Sequence, residues 1–214
     1  MVLSMRKKIS TIDIHDAALK VFAEFGYKKA TMEDIAKELN MTKCNLYLYA
    51  ANKMDLYQNT VRAALIKWQL HVLEALLTKK TAVDQFFTLG TMAIRYLDEV
   101  HDLRTLLKRD PQIFPMFPTN EPYETIHNDS VKILQDIIER GIAEKIFRPV
   151  NVENISRILF SLYKMFIIRI YVQDSGDKSV IKALFNEALD LVTRGLFASP
   201  PQEGNGPVKL INTA

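Results

Sequence analysis

The chain has 214 residues, 48% hydrophobic and 25% charged, the balance of an ordinary globular protein. With 28 Lys/Arg against 25 Asp/Glu the formal charge is only +3, so bulk charge names no polyanionic partner. The single cysteine, Cys44, excludes an internal disulfide and any multi-cysteine metal site, and suits a reducing cytoplasm.

Apolar residues recur at three- and four-residue spacing almost throughout, and strict alternation is rare, so the expected fold class is all-α. The first stripe, Ile14, Ala17/Ala18, Val21/Phe22 and Phe25, ends at Gly26, which takes the left-handed conformation at little steric cost. Gly141 and Gly195 are expected to close later helices in the same way. Thr31 precedes Met32, Glu33 and Asp34, a cap with acids in the first turn; Ile35, Ala36 and Leu39 follow, and Asn40 is the stop. Thr42 caps a short third helix carrying Leu46 and Tyr49 as packing residues. Asn52 caps a fourth, striped by Leu56, Val61, Ala64/Leu65 and Trp68, with no breaker before Lys79-Lys80-Thr81.

Amphipathic segments then cover 83–100, 103–108 and 123–140. Between the last two, Pro111, Pro115, Pro118 and Pro122 mark a loop. The closing helices, 152–172 and 178–197, are joined by Asp174-Ser175-Gly176-Asp177, and residues 198–214 read as a disordered tail. Ile158 to Val172 is the greasiest stretch, but Lys164 and Arg169 interrupt it. Ile9 to Asp16 lacks the unbroken apolar core of a secretory signal, so no membrane partner is expected.

The stretch from Met32 to Ala51 meets the needs of a helix-turn-helix. Ala36 allows close helix crossing, Asn40 tolerates a positive φ at the turn, and Leu46 faces back toward the first helix. Thr42, Lys43, Asn45 and Tyr47 are then left to point outward, with the chemistry to reach base edges or phosphates in a major groove. A plain three-helix cluster with a solvated face is the alternative. Residues 1–60 hold 9 Lys/Arg and 7 Asp/Glu, and Arg6, Lys7 and Lys8 within residues 1–8 form a candidate basic arm.

The pattern Ile14-x2-Ala17-Ala18-x2-Val21-Phe22-x2-Phe25-Gly26-Tyr27-x3-Thr31-x2-Asp34-Ile35-Ala36, followed by Met41-Thr42-Lys43-x2-Leu46-Tyr47-x-Tyr49-x3-Lys53-x2-Leu56, resembles the N-terminal domain of tetracycline-repressor (TetR) family regulators. The resemblance implies a helix-turn-helix DNA-binding domain over residues 1–57 and a helical effector-binding and dimerisation domain over 58–197. It implies phosphate contacts at Thr31, Tyr47, Tyr49 and Lys53, base contacts at Lys43 and Asn45, and a further DNA contact at Thr42. Three positions depart from the family pattern. Asn40 replaces Gly, Ala50 replaces an aromatic, and Cys44 stands where Gly or Ala is usual. Cys44 reads as a small, semi-buried residue, with sensitivity to oxidation as the alternative.

An effector pocket is expected around the Pro-rich loop, lined by Tyr96, Phe114, Phe117, Tyr123, His127 and Tyr163 and suited to a small, largely apolar molecule. The last two helices carry apolar stripes too wide for one partner, which points to a homodimer through a four-helix bundle and a palindromic double-stranded DNA operator. The expected function is therefore a cytoplasmic, ligand-responsive repressor. The alternative is an all-helical ligand- or protein-binding module that no longer reads DNA. No phosphate loop, metalloprotease motif or cysteine–base pair occurs, and His15, His71, His101 and His127 are scattered, so no enzyme activity, metal or cofactor is expected. His101-Asp102 reads as a surface pair near a helix end.

Overall fold

The computed structural model describes residues 10–116, 122–173 and 178–199. Among them are nine α-helices: α1 (Thr11–Lys29), α2 (Met32–Glu38), α3 (Lys43–Leu46), α4 (Lys53–Leu77), α5 (Ala82–Glu99), α6 (His101–Arg109), α7 (Glu124–Ala143), α8 (Val152–Ile167) and α9 (Lys178–Leu196). A 3₁₀ turn at Pro111–Ile113 follows α6 and a π-helical turn at Ile168–Val172 extends α8. The all-α expectation holds. The sole β-type pairing among the described residues is a bridge between Phe147 and Phe197.

The helices begin where side chains satisfy their first backbone N–H groups. Asp34 N donates to Thr31 Oγ1 (3.1 Å) while Thr31 N donates to the Asp34 carboxylate (2.9 Å), a closed capping box. Ser10 and Asp13 repeat it at the start of α1. Thr42 caps α3 through Asn45 N, and Asn52 caps α4 through Asp55 N. Asn40 carries the turn between α2 and α3 with φ 52°, as its place in the sequence requires.

The glycines divide differently from expectation. Gly26, at φ 74°, kinks the end of α1 before one last turn to Lys29. Gly141 has no positive φ and lies inside α7. It is needed because the Phe147 ring packs where a side chain would stand. Gly195 is likewise helical, within α9, and the left-handed residue after α7 is Lys145 (φ 59°).

Ile14, Ala18, Val21 and Phe22 of α1 pack on Ile35 and Ala36 of α2, Leu46 of α3, and Leu56, Tyr57 and Val61 of α4. Phe25, the last of its stripe, is 43% exposed instead. The buried set continues without a break into the C-terminal helices, because α4 is long enough to serve both ends. Helix α6 lies between α1 and the π-helical turn. There Tyr171 donates to Asp98 Oδ1 (2.9 Å) and contacts Ile94 O (3.1 Å), burial and that carboxylate pushing its phenol pKa up. Phe86, Phe87, Phe147 and Phe197 close the far end as one aromatic cluster.

Candidate functional site

Two places concentrate the chemistry: the exposed surface of α3, and a partly open cavity between α4, α5, α7 and α8. Helix α3 is one turn long, and Leu46, its fully buried residue, anchors it. Thr42, Lys43 and Asn45 face outward around that anchor, and Tyr47 and Tyr49 follow at 44% and 42% exposure. Tyr49 therefore lies beyond α3 and is not a packing residue; Ala50, buried, takes the inward position. Leu48, which the sequence reading passed over, stands 81% exposed between the two tyrosines. Cys44 is exposed, not semi-buried, because the turn of α3 that holds Leu46 inward turns Cys44 out.

Four of the expected DNA contacts are engaged within the chain, Thr42 through its cap on Asn45 N. Lys43 Nζ pairs with Glu33 on α2 at 2.5 Å, which holds the Glu33 carboxyl below its ordinary pKa and raises that of the lysine. Lys53 Nζ donates to the carbonyls of Tyr27 (2.7 Å) and Ala30 (3.0 Å) and sits 4.6 Å from the Tyr27 ring centroid. It thereby ties the start of α4 to the end of α1. Thr31 donates to Asp34 within its capping box at 2.6 Å. The Lys20–Glu38 ion pair (2.7 Å) joins α1 to α2.

The cavity is partly open and has a volume of about 70 Å³. Of the residues expected there, Phe114, His127 and Tyr163 lie on its wall. Tyr96 stacks on Trp68 and approaches His71, and Tyr123 is buried; neither lies on the wall. Phe117 lies outside the described residues, as do the basic arm, the 174–177 junction and residues 200–214. The sequence reading missed Trp68, Gln69, Ser130 and Phe160. Gln69, four residues after Leu65, and Ser130, midway between Ile126 and Leu134, are polar residues in register with apolar stripes and were the available signal. Gln69 Nε2 donates to Ser130 Oγ (3.1 Å) and to Ile126 O (3.2 Å), bridging α4 to α7 across the wall.

His127 is 4% exposed, and its pKa is lowered to about 4, first by burial and then by the positive charge of Lys164. It is neutral near pH 7. Lys164 is itself 2% exposed, with its ammonium 4.8 Å from the Phe114 centroid and 5.7 Å from that of Phe160. The residue that merely interrupted a greasy stretch in the sequence thus sits among the aromatics of the cavity. The Tyr163 hydroxyl is buried and has no hydrogen-bond partner among the described residues.

One link runs between the two places. Tyr57 of α4 donates to Asp110 Oδ2 at 2.5 Å, and burial with that carboxylate pushes the phenol pKa up. Asp110 caps the 3₁₀ turn through Gln112 N, and Phe114 on the cavity wall follows at once.

Residues 14–60 match the family model for bacterial regulatory proteins of the tetR family, the stretch that includes α2, α3 and their caps. Those residues form a helix-turn-helix domain of the tetR type. The chain is 24% identical over 195 residues to the HTH-type transcriptional regulator YhgD of Bacillus subtilis, covering 91% of this chain and 98% of that one. Over 48 residues it is 40% identical to IcaR, an HTH-type negative transcriptional regulator of the biofilm operon in Staphylococcus epidermidis, covering 22% of this chain and 26% of IcaR. The fold resembles that of the regulator FadR from Bacillus subtilis with TM-score 0.68 at 22% identity, over 87% of this chain and 99% of FadR. The chain is thus similar throughout to helix-turn-helix transcriptional regulators of the TetR type. Among its described residues no helix is long and apolar enough to cross a membrane.

Proposed function

We propose that this chain is a cytoplasmic, dimeric repressor of the TetR type that grips a palindromic operator through α3 and is released by a small, largely apolar effector. The observation that carries the reading is α4. It starts at Lys53 beside the helix-turn-helix and lines the effector cavity with Leu65, Trp68, Gln69 and Val72. An effector filling the cavity displaces α4 or the Phe114 wall. The Asp110–Tyr57 link passes that displacement to the DNA-binding end, so the two recognition helices no longer match successive major grooves.

In this reading residues 1–57 bind DNA and 58–197 bind effector and partner. Thr42, Asn45, Tyr47 and Tyr49 contact DNA directly, and Lys43 joins them once it leaves Glu33. Thr31 and Lys53 have phosphate roles alongside their internal bonds. Support for the dimer comes from apolar groups left uncovered on the last two helices: Ile158 at 60%, Val180 at 54%, Leu184 at 43% and Leu191 at 72% exposure. Support for repression comes from IcaR, whose name gives it as a negative regulator. Support for a small-molecule ligand comes from FadR, whose structure is a complex with stearoyl-CoA. The protein acts by binding and not by catalysis.

Selection of genomic fragments by the purified protein tests this reading. An enriched palindrome with steeply salt-dependent affinity is the expected outcome, because phosphate contacts release counterions. A folded dimer that enriches no sequence would remove the operator from the account.

A further inference from the structure

The backbone keeps turning past the end of α3. Tyr47 N donates to Lys43 O (3.2 Å), Leu48 N to Asn45 O (3.2 Å) and Tyr49 N to Leu46 O (3.0 Å), so the coil runs on as far as Tyr49. Leu46 and Ala50 are its buried side. Cys44 and Leu48, two residues before each of them, are exposed, the leucine at 81%. Being four residues apart, they stand one turn above the other on the outer face. Lys43 is held to one side by Glu33 on α2, Asn45 adjoins the pair, and a partly exposed tyrosine lies on either side of Leu48. An exposed leucine is ordinary on a protein surface, and Leu77 of α4 at 84% is another. Leu48 differs in its place: it puts aliphatic surface at the middle of a face otherwise built from hydrogen-bonding side chains.

We infer that Leu48, with Cys44 one turn before it, reads the 5-methyl group of a thymine in each operator half-site. The inference rests on the reading of α3 as the element that enters the major groove, and adds a specificity-determining residue to it. Base edges in that groove present hydrogen-bond donors and acceptors, and the thymine methyl is their one apolar group. An aliphatic side chain gains affinity by covering that methyl. Set against the amino group of cytosine or the acceptors of guanine, it would strip water from a polar group and return no hydrogen bond. The same leucine thus selects for thymine and against a G·C pair. A phosphate contact would need a donor, which leucine lacks. Asn45 alongside carries an amide suited to the N6 and N7 edge of adenine, so the two together favour adjacent A·T pairs.

Synthetic duplexes of the operator selected by the full-length protein test this, with each thymine replaced in turn by uracil, which removes the methyl and keeps the base pair. At one thymine per half-site, affinity is expected to fall by about fourfold when one half-site is changed and about sixteenfold when both are. Leu48→Ala should weaken the thymine duplex by a similar factor and bind thymine and uracil duplexes alike, with Tm unchanged because the side chain is exposed. Leu77→Ala, which removes an equally exposed leucine from α4, is the control and should leave every affinity as in the wild type. A flat uracil scan, or a uracil penalty that survives Leu48→Ala, overturns the inference while α3 keeps its role. Leu48→Ala weakening thymine and uracil duplexes by the same factor would put the leucine against the sugar–phosphate backbone and overturn it equally. A folded protein that selects no operator at low salt overturns the reading beneath it, and the inference with it.

Discussion

The helix-turn-helix and the cavity are built on opposite principles. Around α3 the structure is local: Thr31 with Asp34, Thr42 with Asn45, and Asn52 with Asp55 are each three residues apart, and one leucine anchors the recognition turn. The cavity takes residues from α4, α5, the segment after α6, α7 and α8, none of which encloses a space alone. Its polar chemistry is also long-range, since Gln69 reaches Ser130 and Lys164 sits over Phe114. The contrast teaches that a reading surface can be encoded by short-range capping, while a binding space depends on how helices far apart in sequence pack.

Four measurements put that contrast to the test. The largest effect is expected at Leu46, fully buried under α3. Leu46→Ala should cost about 2–5 kcal/mol and abolish operator binding, because α3 has no other buried residue. Denaturation with an operator shift assay checks this, and retained DNA binding would show that the caps alone hold the turn.

Next comes the buried His127. Its folded pKa is about 4 against an ordinary value of 6.5, so the unfolded chain takes up the proton first as pH falls. The stability it contributes is complete above pH 6.5 and is lost progressively toward pH 4, by about 2–3 kcal/mol. Denaturation midpoints across that range should slope in the wild type and flatten in His127→Gln. Equal slopes would place the titration elsewhere.

Tyr57→Phe removes the hydroxyl that reaches Asp110. A loss of about 1.5 kcal/mol is expected, together with weaker release of operator at saturating effector. Unchanged release would show that the link is structural only. The smallest effect is expected at Glu33, which holds Lys43 on the surface. Glu33→Gln should leave Tm nearly unchanged and tighten operator binding a few-fold at low salt, with the gain fading as salt rises. Weaker binding would mean that Glu33 positions Lys43 for DNA.

The same contrast explains what was legible beforehand. Asn40 and the three caps were readable because their roles depend on neighbours within a turn. Gly141 was misread because its partner, Phe147, sits over the helix from the next loop and leaves no trace in helical periodicity. Tyr49 and Cys44 were misplaced because α3 ends after a single turn, so a stripe extrapolated past Leu46 points the wrong way. Tyr96 and Phe160 are both aromatics on amphipathic helices; only packing put the first against Trp68 and the second on the cavity wall.

Helix order, the capped turn and the outward set on α3 follow from the sequence by itself, since capping, φ preference and apolar spacing act over a few residues. The tertiary structure alone decided that Lys43 and Lys53 are engaged within the chain and that Lys164 and His127 are buried together. Those outcomes depend on distances between helices separated by tens of residues, where the cost of desolvating a charge and the shape left between side chains are settled only by packing.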